Sequence, residues 1–189
     1  MMEELLSGGE PKYFEAFFYL TFGLGAALCG YLAYLLWSVT PENLRRREAW
    51  TRNRVWGLVL GYVVLVSCVP YARVVAPDFL LPLLWPLALV MPPVCAYYVD
   101  YPNARAVSGA LILLAYLAVH YGFELELPGA PALTVLAWLV GGAGIVVSAQ
   151  PWRLRDEFRA GVKRRRVEGG FLAFFALVLL GEAVWKIFH

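Results

Sequence analysis

Glu182 and Lys186 stand four residues apart in an otherwise apolar C-terminal run, acid before base, the order in which a helix brings opposite charges onto one face. An ionisable side chain in such a run is expensive to desolvate. It therefore marks either an interfacial ion pair whose long side chains reach water or a polar site. Three other groups fit the second reading. His120 closes an apolar run just before Tyr121, Glu124 and Glu126, and Arg73 and Asp78 bracket a short connection. Together, Glu182, Lys186, His120, Arg73 and Asp78 make a candidate polar pocket, with carboxylates and an imidazole able to move protons. The spacing does not itself force the five together, and a lone histidine near an interface also serves as an anchor.

Proline is the second feature with chemical consequences. Pro82, Pro86, Pro92 and Pro93 fall in one apolar stretch, where each removes a backbone donor and crowds the preceding turn. Carbonyls freed in this way are costly against lipid, so a kinked span of this kind is expected to line a cavity or pack inside protein. The competing reading is a structural helix that is simply bent.

Other chemistries lack their residues. Cys29, Cys68 and Cys95 are far apart and form neither a C-x-x-C pair nor a zinc-ligand spacing. With His120 and His189 as the two histidines, no haem, metal centre or other cofactor is expected. Phosphate-cradling glycine loops, G-x-S-x-G and H-E-x-x-H are absent from the sequence. These absences favour a non-enzymatic membrane protein, either a small transporter or channel or a membrane-embedded accessory subunit of a larger complex. The alternative is an intramembrane enzyme acting through the polar pocket on a lipid or apolar substrate at the outer leaflet.

The elements that must position these residues follow from composition. Of 189 residues, 61% are apolar and 16% charged, against roughly 45–50% and about 25% in soluble domains. The mean hydropathy is +0.63. Crossing a hydrocarbon core of roughly 30 Å takes about 18 or more apolar residues as a helix. Six stretches qualify: Tyr13–Trp37, Val55–Ala76, Phe79–Val99, Ala104–Tyr121, Ala130–Ala149 and Gly170–Phe188. Pro70 and Arg73 suggest that the regular part of the second stops early. Backbone groups in lipid must bond internally, and the runs do not alternate as barrel strands do. The expected fold is an all-α integral membrane protein, a single transmembrane domain over residues 1–189. It is a six-helix bundle of three antiparallel hairpins with the third span kinked.

Charge sets the expected orientation. Arg45, Arg46, Arg47, Arg52 and Arg54 lie between spans one and two, Arg105 between three and four, and Arg153, Arg155, Arg159, Lys163, Arg164, Arg165 and Arg166 between five and six. Only Lys12, Arg73 and Lys186 fall on the other side, beside Glu3, Glu4, Glu10, Asp78, Glu124 and Glu126. The positive-inside bias then leaves the basic loops in the cytoplasm and both termini outside, in a plasma or inner membrane. The acidic lead is the reverse of a signal peptide's basic start, so the first span is expected to be retained.

Membrane lipid is the expected partner, with anionic headgroups meeting Arg45, Arg46, Arg47, Lys163, Arg164, Arg165 and Arg166. Trp152–Arg166 is read as an amphipathic interfacial helix, and an acidic cytoplasmic protein is its alternative partner. Nucleic acid is not expected as a partner. Two of the basic connections share P-x-x-L-R and then R-V-x-G, as Pro41 to Arg45 with Arg54 to Gly57, and Pro151 to Arg155 with Arg166 to Gly169. The third carries a shortened form in Pro102, Arg105, Val107 and Gly109. This pattern reads either as a hairpin repeat or as the shared needs of tight interfacial turns. Small residues in Gly23 to Ala27 and Gly141 to Gly144 allow close helix packing, internally, between copies, or with a partner subunit.

Overall fold

A computed structural model of the chain describes residues 11–188, so Glu3, Glu4, Glu10 and His189 lie outside the described residues, as does the side chain of Lys12. The chain is 87% helical, with no strand among the described residues. Among the described residues, eight α-helices follow in order: α1 Pro11–Trp37, α2 Leu44–Thr51, α3 Arg54–Val75, α4 Leu81–Tyr98, α5 Pro102–Glu124, α6 Ala130–Ala149, α7 Trp152–Arg159 and α8 Val162–Phe188. Six of these, all but α2 and α7, are long and apolar enough to cross a membrane. Their outer faces are equally apolar: Trp138 on α6 is 75% exposed and Leu177 on α8 is 66% exposed. Water would penalise such surfaces at roughly 25 cal/mol per Å², whereas lipid does not. The protein is therefore a multi-pass α-helical membrane protein.

Helix ends differ from expectation in three places. α3 runs through Pro70 to Val75 and stops where Ala76 turns extended, because Ala76 precedes Pro77 and the proline ring disfavours helical backbone there. Pro70 costs one backbone bond without ending the helix. The basic segment Trp152–Arg166 is two helices, since Ala160 is extended before Gly161, ending α7. Lys163, Arg164, Arg165 and Arg166 instead form the first turns of α8, which starts eight residues before the apolar run. The Arg164–Glu168 pair, four residues apart at 2.8 Å, supports those turns. The short helix α2 was not expected.

The contacts form two compact units, divided after Ser38 and Ala160 in connections and after Leu113 and Val140 within α5 and α6. The first comprises Met1–Ser38, Leu114–Val140 and Gly161–His189. Here α1 packs along α8. Phe18, Phe22, Ala26, Cys29, Leu32 and Leu36 on α1 recur every three or four residues and are buried, as are Phe175, Leu179 and Ala183 on α8. Tyr121 packs edge-on against Phe18 at 5.8 Å. At the far end of α1, the Trp37 indole donates to the Arg166 carbonyl at 3.3 Å and lies where a side chain on Gly169 would have to be.

The second unit comprises Val39–Leu113 and Gly141–Ala160. α3 packs along α4, and α2 against α7. Two glycines set the spacing. A Cβ on Gly57 would stand 2.8 Å from the Asn103 amide nitrogen, and one on Gly144 would stand 2.9 Å from the Ser108 carbonyl, so backbone meets helix directly at both positions. In α4, Pro86, Pro92 and Pro93 lie inside a continuous helix and Pro82 in its first turn. Pro92 is buried, while Pro82, Pro86 and Pro93 are exposed.

Candidate functional site

The buried face of α8 that carries Phe175, Ala176, Leu179 and Ala183 also carries Glu182, because residues three and four apart share a helix face. Glu182 is 8% exposed. Its Oε1 atom lies against Gly129, the residue immediately before α6. A Cβ on Gly129 would overlap the Glu182 Oε1 atom, so only glycine admits this approach. The other oxygen, Oε2, is buried and has no hydrogen-bond partner. The first N–H groups of a helix have no partner within it and carry partial positive charge. Glu182 therefore brings a carboxylate to the start of α6 from a different helix.

The other members of the expected pocket have different surroundings. Lys186, one turn beyond Glu182, is half-buried, and neither it nor His120 bonds the Glu182 carboxylate. The His120 ring stacks on Tyr116, centroids 6.0 Å apart and planes 6° apart, and tilts against Tyr121 at 5.6 Å. Arg73, half-buried, occupies the last turn of α3, where a cation complements the helix dipole, and Asp78 is exposed in a 3-10 turn. Glu182, Lys186 and His120 belong to the first unit, and Arg73 and Asp78 to the second. No group of three or more His, Cys, Asp or Glu placed to hold a metal ion occurs among the described residues.

A denser polar network, missed from the sequence, joins the three basic connections of the second unit. Tyr101, between α4 and α5, takes hydrogen bonds on its hydroxyl from Arg52 at 2.8 Å and Arg155 at 3.0 Å. The Arg52 guanidinium also lies 4.7 Å from the Tyr101 ring centroid. Tyr101 has φ 57°, left-handed backbone that a bulky residue adopts only when its surroundings hold it there. Arg159 of α7 clasps Glu48 of α2 with two donors, one at 2.8 Å. The Arg159 hydrogen bonds hold the Glu48 carboxyl below the usual carboxylate range, with the fields of Arg155 and Arg45 adding to the effect. Asn103, fully buried, donates to the Trp50 carbonyl at 2.9 Å, and Arg105 donates to the Ser148 carbonyl at 3.2 Å. Arg45 and Arg46 remain exposed beside this network, and Lys163 and Arg166 are exposed at the start of α8.

No protein-family model, curated protein or solved structure matches this chain. Its function is therefore argued from these side chains alone. The P-x-x-L-R pattern was the available signal for the network, since Arg155 is the final residue of one copy. Neither Tyr101 nor Glu48 belongs to the pattern.

Proposed function

We propose that the protein is a non-enzymatic membrane module, a small transport protein or a membrane-embedded subunit of a larger assembly. Its three hairpins return their basic connections to the cytoplasm, and both termini lie outside. The observation that carries this reading is the joining of α2, Tyr101 and α7 through Arg52, Arg155, Glu48 and Arg159. Connections tied by hydrogen bonds share one side of the bilayer, as the positive-inside bias requires.

Among the described residues the connections between helices are short, so the functional groups there come from the spans and their ends. Exposed Arg45 and Arg46 and the basic start of α8 suit anionic headgroups, each basic residue contributing about 1 kcal/mol near such a surface. The proline-rich α4 is the span best suited to bend beside a pathway, since Pro86, Pro92 and Pro93 leave carbonyls without their usual helical donors.

Single-cysteine mapping tests the arrangement. In a variant lacking Cys29, Cys68 and Cys95, cysteines placed at residues 42 and 156 should resist an impermeant maleimide in sealed cells, while one at residue 126 should react. Labelling of 42 and 156 from opposite sides would overturn the topology. The mass of the solubilised protein then separates a homo-oligomer from a subunit that awaits a different partner.

A further inference from the structure

We propose that Glu182 is a proton-binding site in the membrane-spanning part of the protein, loaded and unloaded at the junction of α8 with the start of α6. The proposal rests on the reading of α8 as a membrane span and deepens the transport reading by naming an ion.

Three features of the junction single out the proton. Glu182 Oε2 is buried without a hydrogen-bond partner, whereas Oε1 lies against the Gly129 backbone where a Cβ would overlap it. A bare carboxylate with one oxygen unsatisfied is costly in an apolar interior, and a proton on that oxygen cancels the charge. Metal cations require several ligands, six to eight oxygens for calcium and an octahedral set for magnesium. No cluster of three candidate ligands occurs among the described residues, whereas a proton needs a single oxygen.

The ionised and protonated forms do different things to the helix. Ionised, Glu182 gives the start of α6 a full negative charge at the positive end of its helix dipole. Once an O–H bond forms on Oε2, that charge is gone and its attraction to the start of α6 weakens. Proton uptake is thus coupled to the hold of α8 on the start of α6.

Other charged and titratable groups surround the junction. They are Lys186 on α8, Glu126 in the turn and Glu124 at the end of α5. α5 also carries His120, and α1, packed along α8, contributes Glu15 and Tyr19. None of them is hydrogen-bonded to Glu182 Oε2.

A hydrophobic carbodiimide, which adds to protonated carboxyls within lipid, provides the test on the full chain in phosphatidylcholine vesicles. The expected result is an adduct at Glu182 whose yield falls at least tenfold from acid to alkaline buffer. Glu182→Gln should remove this adduct. Infrared difference spectra between acid and alkaline buffer give a second readout: a protonated-carboxyl band should be present in the parent and missing in Glu182→Gln. Absence of the adduct at every pH, together with identical difference spectra for parent and variant, would overturn the proposal. An adduct whose yield ignores pH would also overturn it, because the carboxyl would then stay loaded. The maleimide topology is measured at a single pH, so its failure is distinguishable from failure here.

Discussion

The same substitution, Gly to Ala, should act with opposite sign at two glycines of the second unit. A Cβ on Gly57 would stand 2.8 Å from both the Asn103 nitrogen and the Pro102 carbonyl carbon, and 3.1 Å from the Pro102 Cβ. Those atoms belong to the first turn of α5 and cannot rotate away, so the helices must separate by about 0.5–1 Å to restore ordinary contact distances near 3.5–4.0 Å. Overpacking of this kind costs about 1–3 kcal/mol. Alanine recovers up to about 1 kcal/mol through its better helix propensity, so a mid-range overpacking cost of about 2 kcal/mol leaves Gly57→Ala destabilised by about 1–2 kcal/mol. At Gly142 an added Cβ meets nothing within 4 Å. There the propensity gain stands alone, and Gly142→Ala should be stabilised by about 0.5–1 kcal/mol. At about 2–4 °C per kcal/mol for a chain of this size, the two variants should differ in melting temperature by roughly 3–12 °C. Heating each detergent-solubilised variant and following loss of its monodisperse size-exclusion peak measures the difference. A neutral or stabilised Gly57→Ala would refute the close approach of α3 to the start of α5. Destabilisation of Gly142→Ala would instead reveal a neighbour on that open face.

Two further outcomes follow from the basic-face network. Arg159 lowers the Glu48 carboxyl below its ordinary value, so the stabilisation is fully present above the ordinary carboxylate range and is lost as pH falls through the lowered folded value. Spin labels on α2 and α7 should therefore keep a fixed separation at neutral pH and spread only in strong acid, and the acid step should vanish in Glu48→Gln. Removing the fully buried Asn103 amide, as in Asn103→Ala, takes away the donor to the Trp50 carbonyl. Because the Trp50 carbonyl keeps the Asn53 N–H at 3.1 Å, the loss should cost about 0.5–1.5 kcal/mol in the same melting assay, and an unchanged melting temperature would show that the Asn103 bond adds nothing to stability.

The spans were legible because burial in lipid demands long apolar runs, and all six appear as helices within a few residues of the stretches read from the sequence, except the start of α8. That exception has a physical cause. Hydropathy reports where a helix meets lipid, not where its hydrogen bonding begins, and Arg164 with Glu168 continues α8 well beyond the apolar run. The network around Tyr101 was less legible, since its members are distant in sequence and the contact depends on the left-handed backbone at Tyr101. A tyrosine gives no local sign of that conformation.

Glu182 shows most clearly what a sequence withholds. Its position in an apolar run flagged it, but the run suggested Lys186 as partner, because helical spacing reveals only neighbours on the same helix. The actual partner is announced at the other end, by an omission. The approach to α6 reads Leu127-Pro128-Gly129-Ala130-Pro131, with none of the Ser, Thr, Asp or Asn residues that normally accept from a helix's first N–H groups. The Ala130 N–H bonds the Leu127 carbonyl at 3.0 Å, and no side chain of the approach adds a negative charge to the positive end of the helix. Here that charge is the carboxylate of Glu182, admitted by the missing side chain of Gly129. An uncapped helix start with glycine at its threshold and an unexplained carboxylate in a distant span are therefore one feature, legible only when the two are read together.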